Sequence, residues 1–275
     1  MIDFVTVFIP VYNEEKNLPE CLDALKNFSK VVLIDSGSTD KTLEIAKDFG
    51  REVIHFEWNG SFPKKRNWAL RNYKVETPWC FFMDADERMQ PEFEAEIATV
   101  LPTTKHDVFV VFYDNWFLGR MLRHGDCMRK SALVRYGHGE YERVDDIATN
   151  LPMEIHEQIV TDGTIGVIHA HLEHHDKRSL ESYYAKHLEY ADWEANRYKT
   201  LIENTKKQLT CRQKIKYGLI TFFWFGFAYF CVCYFFKLGF LDGYPGFVFA
   251  KGKMNYFRNI RKKIRTKQKE TQKDS

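Results

Sequence analysis

Four short apolar runs in the first ninety residues each end on a polar cluster, and helical patterns separate them. FVTVFIPVY stops at Asn13 and Glu14, and NLPECLDALKNF then repeats Leu18, Leu22 and Leu25 at helical spacing. VVLID runs into Ser36-Gly37-Ser38-Thr39, after which Asp40 is an N-cap candidate and Gly50 a helix stop. EVIHFEW reads as a third strand, KKRNWALRNY as a helix, and WCFFM as a fourth strand leading into Asp84-Ala85-Asp86-Glu87. Repeated strand and helix alternation requires right-handed crossovers, so the chain is predicted to be α/β, with a mostly parallel sheet covered by helices on both faces. Ligands of such sheets sit beyond the carboxyl ends of the strands. Residues 12–14, 35–40 and 84–87 all fall on that rim. One Asp after a strand is more often a helix cap, but three clusters on one rim make a site.

Further along, PEFEAEIATVL reads as an amphipathic helix, DVFVVFY as a strand, IGVIHAHLEHH as a strand and residues 178–206 as a long helix. The stretch 114–165 is mixed and polar. A chain of 275 residues, 44% apolar, can bury a full core. Its near-neutral charge hides a division: residues 1–196 hold 22 Lys and Arg against 34 Asp and Glu, whereas 197–275 hold 18 against 4. A basic, aromatic C-terminal segment points to an anionic surface as partner and argues against a nucleic-acid binder. The six cysteines form no CxxC pair, which fits reduced thiols in the cytosol. The N-terminus has no basic n-region, so the expectation is a catalytic part that stays inside the cell.

Asp84 and Asp86 flank one small residue after an apolar strand, an arrangement that brings two carboxylates to one hard divalent cation. Mn²⁺ or Mg²⁺ takes such oxygen ligands, with substrate phosphates completing the shell, so a diphosphate-bearing substrate is expected. At the start of the preceding basic helix, Lys64, Lys65 or Arg66 can stabilise phosphate charge, and Asn67 can hold the acidic loop.

TVFIPVYNEE, IDSGSTDKT, WNGSFPKKRNWAL and MDADE stand in the order and at the separations of family 2 glycosyltransferases of the GT-A fold, which the chain resembles. IHEQIVTDG, LEHHDKRSLESYYAKHLEYA and KLGFLDGYPGF extend the resemblance to the branch that builds lipopolysaccharide core and surface polysaccharides. The resemblance implies a Rossmann-like GT-A domain over 1–206, with a nucleotide-sugar half at about 1–105 and an acceptor half at about 106–206. It implies that Pro10, Tyr12 and Glu14 line the nucleotide pocket, that Asp35 contacts the base, that Asp84 faces the ribose and that Asp86 binds the metal. His174 is placed as a metal- or phosphate-contacting group, with a structural histidine as the alternative. The family often has Ala or Gln where Lys65 stands, so which cation touches the donor stays open.

Inverting transfer needs one carboxylate to deprotonate the acceptor hydroxyl. The resemblance points to Glu157 of the His156-Glu157 pair, with Asp145 and Asp146 as alternatives. A UDP-sugar such as UDP-glucose and a lipid-linked or lipid A-linked glycan acceptor follow from the family. The rivals are transfer to a polyprenyl phosphate or an O-antigen or capsule intermediate, and an inactive membrane-surface scaffold.

Residues 217–236 are twenty in a row without a charge, the length of a membrane span. Aromatics fill more than half of them, and basic residues flank the run on both sides. The segment 207–275 is therefore expected to be a helical, membrane-associating tail, lying in the cytoplasmic face of the inner membrane rather than crossing it.

Overall fold

The structure, a computed structural model, describes residues 1–142, 158–177, 179–203 and 211–273. Its strands are β1 (Ile2–Val11), β2 (Phe28–Asp35), β3 (Glu52–His55), β4 (Trp79–Phe82), β5 (Glu87–Arg88), β6 (Val108–Phe117), β7 (Arg120–Leu122), β8 (Met128–Arg135), β9 (Glu140–Tyr141), β10 (Ile159–Val160) and β11 (Ile165–Asp176). Its helices are α1 (Leu18–Asp23), α2 (Thr42–Asp48), α3 (Lys65–Asn72), α4 (Pro91–Val100), α5 (Leu180–Glu203), α6 (Cys211–Leu219), α7 (Phe225–Cys231) and α8 (Gly243–Lys273). They form two compact units, one of residues 1–116, 127–142 and 158–176, the other of 117–126 and the described residues from 177 onward.

In the first unit the sheet order is β3-β2-β1-β4-β8-β6-β11-β5. The first four strands are parallel, with Val11 opposite Asp35 and Phe8 opposite Phe82. Successive residues of β1 serve opposite faces, as the pleat requires. Val5, Val7 and Ile9 join Leu18 and Leu22 of α1 and Phe93 and Ile97 of α4 on one side. Phe8 joins Val32, Phe82, Ala69 and Leu70 on the other. Both faces are covered there, so β1, β2 and β4 carry continuous buried apolar runs instead of alternating, while the edge strand β3 is only half-buried.

Beyond β4 the sheet turns antiparallel, because β8 inserts between β4 and β6 and runs against both. The sheet is therefore mixed, with the parallel part confined to the nucleotide half. The stretch read as mixed and polar contains this central strand.

The second compact unit takes in residues 117–126 and α5, which packs on α8. Ala191 and Ala195 of α5 share one buried cluster with Tyr256, Ile260 and Ile264 of α8. The uncharged run 217–236 is not one helix. It passes from the end of α6 through a turn to α7 and then a π-helical stretch, Val232–Phe236. No single described helix is long and apolar enough to cross a membrane, and Phe225–Phe236 meets Gly239–Lys269 at a bend of 73°.

The KLGFLDGYPGF motif builds that bend. Leu238 adopts a left-handed φ of 58° and a 3₁₀ turn, Gly239–Asp242, follows it. A Cβ on Gly246 would lie 2.1 Å from the Gly239 carbonyl oxygen. Asp242, buried, accepts the backbone N–H of Arg123 (3.2 Å) and His124 (2.9 Å), tying the 117–126 segment to the bend. Gly246→Ala is expected to destabilise this unit by about 2 kcal/mol or more through overpacking. Gly218→Ala, where a Cβ meets nothing within 4 Å, should leave stability level or slightly raised. Urea unfolding of the two variants checks this, and equal stability would show that the bend does not need the close approach.

Candidate active site

The rim of the parallel strands is assembled by hydrogen bonds between loops distant in sequence. After β1, Asn13 takes a left-handed φ of 56°, its backbone N–H donating to Ser38 Oγ (3.0 Å) and its Oδ1 accepting from the Thr39 N–H (2.8 Å). Glu14 is fixed by its N–H to Thr42 Oγ1 (2.8 Å), while its carboxylate accepts from Asn17 Nδ2 (2.9 Å). The loops after β1 and β2 thus form one surface. Tyr12 stands 59% exposed on it and Pro10 lies just below, in register with Ile34.

Asp35 is buried, and its carboxylate accepts the N–H groups of Gly37 (3.0 Å) and Ser38 (3.1 Å). Burial alone would raise its pKa; the bonds from Ser38 and Gly37 outweigh that and hold it below the ordinary carboxylate value. His55 Nδ1 lies 3.5 Å from the same carboxylate. The side chain expected at the base is tied into its own loop after β2.

The loop after β4 carries the concentrated charge. The carboxylate oxygens of Asp84, Asp86 and Glu87 lie within 4.8 Å of one another. The loop closes on itself: the Glu87 N–H donates to the Asp84 carbonyl (3.0 Å) and the Asp84 N–H to Glu87 Oε2 (3.1 Å). Two cations reach Asp84 from different elements, Arg66 of α3 at 3.0 Å and Lys130 of β8 at 2.7 Å. Lys130 also pairs with Glu87, which is fully buried.

Burial would lift the Asp84 carboxyl, but Lys130 and Arg66 pull it well below the carboxylate range. Burial also works against the Lys130 ammonium, yet Asp84 and Glu87 raise its pKa above the ordinary lysine value. Glu87, where burial dominates and Asp84 and Asp86 add repulsion, is pushed up to about 7.

Asp86 faces β11. Its carbonyl accepts the His175 N–H (2.8 Å), and its Oδ2 lies 3.5 Å from His174 Nε2. His174 Nδ1–H donates to Asn115 Oδ1 (3.0 Å), which directs Nε2 toward Asp86. Burial would raise the Asp86 carboxyl; the nearby His174 outweighs it and Asp86 falls below its ordinary value. Burial would lower His174, and Asp86 raises it. This donor set, hard carboxylate oxygens beside one oriented imidazole, suits Mn²⁺ or Mg²⁺.

The structure thus brings Asp84, Asp86, Arg66 and His174 together. Lys64 is buried at the start of α3, and Lys65 Nζ donates to the Val11 carbonyl (3.4 Å), placing the α3 terminus against the end of β1. Asn67 departs from expectation. It is buried, its Oδ1 accepts the Tyr141 N–H and its Nδ2 donates to the Tyr141 carbonyl, both at 2.9 Å. It holds β9, not the acidic loop. Glu157, Asp145 and Asp146 lie outside the described residues. Two further histidines of β11 are engaged elsewhere: His171 with Asp114 (2.7 Å), and His175 with Glu173 (2.8 Å) and the face of Trp116.

The Glycosyl transferase family 2 model matches residues 6–158, more than half of the chain. The chain belongs to this family. One family relative, the lipopolysaccharide core biosynthesis glycosyltransferase LpsC of Rhizobium meliloti (strain 1021), is 28% identical over 176 residues. That match covers 59% of this chain and 59% of LpsC, so the chain spans about three-fifths of that relative's length. An uncharacterized glycosyltransferase of Rickettsia bellii (strain RML369-C) is 24% identical over 254 residues, 89% of this chain and 80% of its own. Among solved structures, the Mycobacterium tuberculosis glucosyl-3-phosphoglycerate synthase complex with Mn²⁺, uridine-diphosphate and glucosyl-3-phosphoglycerate is 23% identical, with a TM-score of 0.33. That overlap covers 40% of this chain and 43% of the other.

Sequence reasoning missed Lys130, Asn115 and the burial of Glu87. Removing Lys130 leaves a buried carboxylate without its counter-ion, so Lys130→Met is expected to cost about 3 kcal/mol of stability at pH 8. Adding Glu87→Gln to the same chain should recover most of that loss, because the charge leaves with its partner. Urea unfolding of the two single variants and the double variant measures the coupling; additive losses would show that Lys130 and Glu87 act independently.

Proposed function

We propose that this family 2 protein is an inverting, metal-dependent glycosyltransferase that moves a sugar from a nucleotide diphosphate, UDP by family resemblance, to a membrane-bound glycan of surface polysaccharide biosynthesis. The observation that carries the reading is the loop of Asp84, Asp86 and Glu87, set at the carboxyl end of a parallel strand with Arg66 and Lys130 against it.

In this reading the nucleoside lies on the surface formed by Pro10, Tyr12 and Glu14 and bordered by the Asp35 loop. Asp84 faces the ribose. Asp86 and His174 would hold Mn²⁺ or Mg²⁺, which when bound neutralises charge on the departing diphosphate. Lys64 and Arg66 supply further positive charge at the start of α3.

Glu157 takes the proton of the acceptor hydroxyl as its oxygen forms a bond to the anomeric carbon. The bond from that carbon to the diphosphate oxygen breaks, its electron pair leaves with the nucleoside diphosphate, and the anomeric centre inverts.

The relationship to LpsC supports a lipopolysaccharide-core type of acceptor. Exposed aromatics of the second unit, among them Phe223 at 76% and Phe236 at 81%, support attachment to the cytoplasmic face of the inner membrane, where such an acceptor meets a cytosolic donor.

The test is turnover of UDP-sugars with a membrane-extracted glycolipid acceptor. Glu157→Gln keeps the side-chain shape and removes the proton acceptor, so kcat is expected to fall roughly 10²-fold or more with donor binding unchanged. A kcat near wild type would transfer the role to Asp145 or Asp146.

A further inference from the structure

In the second unit, helices α5 and α8 and the turn before α7 line a half-open cavity of about 690 Å³. Tyr184 and His187 of α5 line one side; Arg258, Arg261 and Lys262 of α8 line another; Phe223 lies at its edge. No acidic residue lines it among the described residues.

The cations of α8 are sorted by face. Lys263 and Lys267 turn toward α5 and pair with Asp192 at 3.2 and 3.6 Å. Arg258 and Lys262, one helical turn apart on the other face, have no carboxylate partner among the described residues. Arg261 is held by a hydrogen bond from Nε to the Thr221 carbonyl (3.0 Å), which fixes the guanidinium at the cavity wall.

Tyr256, 7% exposed, backs the cavity wall and packs into the buried cluster between α5 and α8. Beside the cavity, Phe222, Phe223 and Trp224 are exposed by 49%, 76% and 40%. A cationic wall and an apolar lip suit one kind of ligand, an anion carried on an apolar stem.

We propose that this cavity binds the phosphate headgroup of an anionic bilayer lipid, with Arg258, Arg261 and Lys262 on the phosphate and the 222–224 aromatics among the acyl chains. It rests on the membrane-face reading above and adds to it a discrete headgroup site. Membrane attachment is then directed by lipid charge at one place, and not only by a diffuse basic tail.

The experiment is sedimentation of the full chain with two kinds of vesicle, phosphatidylcholine alone and phosphatidylcholine with about one third phosphatidylglycerol. Wild type is expected to prefer the anionic vesicles, and the double variant Arg258→Gln/Lys262→Gln to lose roughly 30-fold in that affinity while binding neutral vesicles as before. The double variant Lys251→Gln/Arg265→Gln removes two exposed α8 cations that do not line the cavity, and should lose several-fold less. Equal losses in the two double variants would replace the pocket with diffuse attraction and leave the membrane reading standing. A wild type that ignores both vesicles would overturn the membrane reading and this site together. Millimolar inorganic phosphate at constant ionic strength should not release the protein from anionic vesicles; release would assign the cavity to a free anion.

Discussion

Three carboxylates within 4.8 Å repel one another, and the first unit depends on the two cations that make this arrangement stable. Arg66 arrives from the first turn of α3 and Lys130 from the middle of β8, each ending on a different oxygen of Asp84. The ion pairs therefore fix more than a loop. They tie α3, the end of β4 and an antiparallel strand whose Lys130 lies 46 residues beyond Asp84 to one point on the rim. The covered sheet beneath holds these elements in register, with Met83 N–H on the Phe8 carbonyl (3.0 Å) at the base of the acidic loop.

Charge is handled differently in the second unit. The acidic partners of α6 and α8 lie on α5, where Asp192 takes Lys263 and Lys267 of α8, and Glu194, fully buried, takes Lys216 of α6 and the Tyr217 hydroxyl at 2.7 Å each. Burial would raise the Glu194 carboxyl; Lys216 outweighs it and the pKa falls below the ordinary value. Its contribution to stability is thus present above the unfolded glutamate value and lost as pH falls through the folded one. These pairs use up the cations on one side of α8 and leave the other side positive beside exposed aromatics.

The parallel half of the fold was legible because its signals are local: β-branched runs, helical spacing and polar clusters at strand ends all lie within ninety residues. The same locality exposed Asp84 and Asp86. β8 escaped because Arg129, Lys130 and Arg135 bracket a buried run of only four residues, and its place between β4 and β6 is set by long-range pairing. With β8 hidden, Lys130 had no visible address. Asn67 misled for the opposite reason: it sits in a motif at the rim, but its amide fits the backbone of Tyr141 seventy-four residues away. The uncharged run 217–236 passed a length test that counts charges and cannot register the left-handed Leu238 or the approach of Gly246 to Gly239.

The central claim is that the Asp84 to Glu87 loop forms, with a divalent cation, the seat of a nucleotide diphosphate. Thermal unfolding with UDP in the presence of Mn²⁺ or of EDTA, in wild type and Asp86→Ala, tests it most directly. UDP with Mn²⁺ should raise the wild-type Tm by several degrees, while UDP in EDTA, or with Asp86→Ala, should raise it little. Stabilisation by UDP that is the same in EDTA and in Mn²⁺, or that survives Asp86→Ala undiminished, would contradict the account.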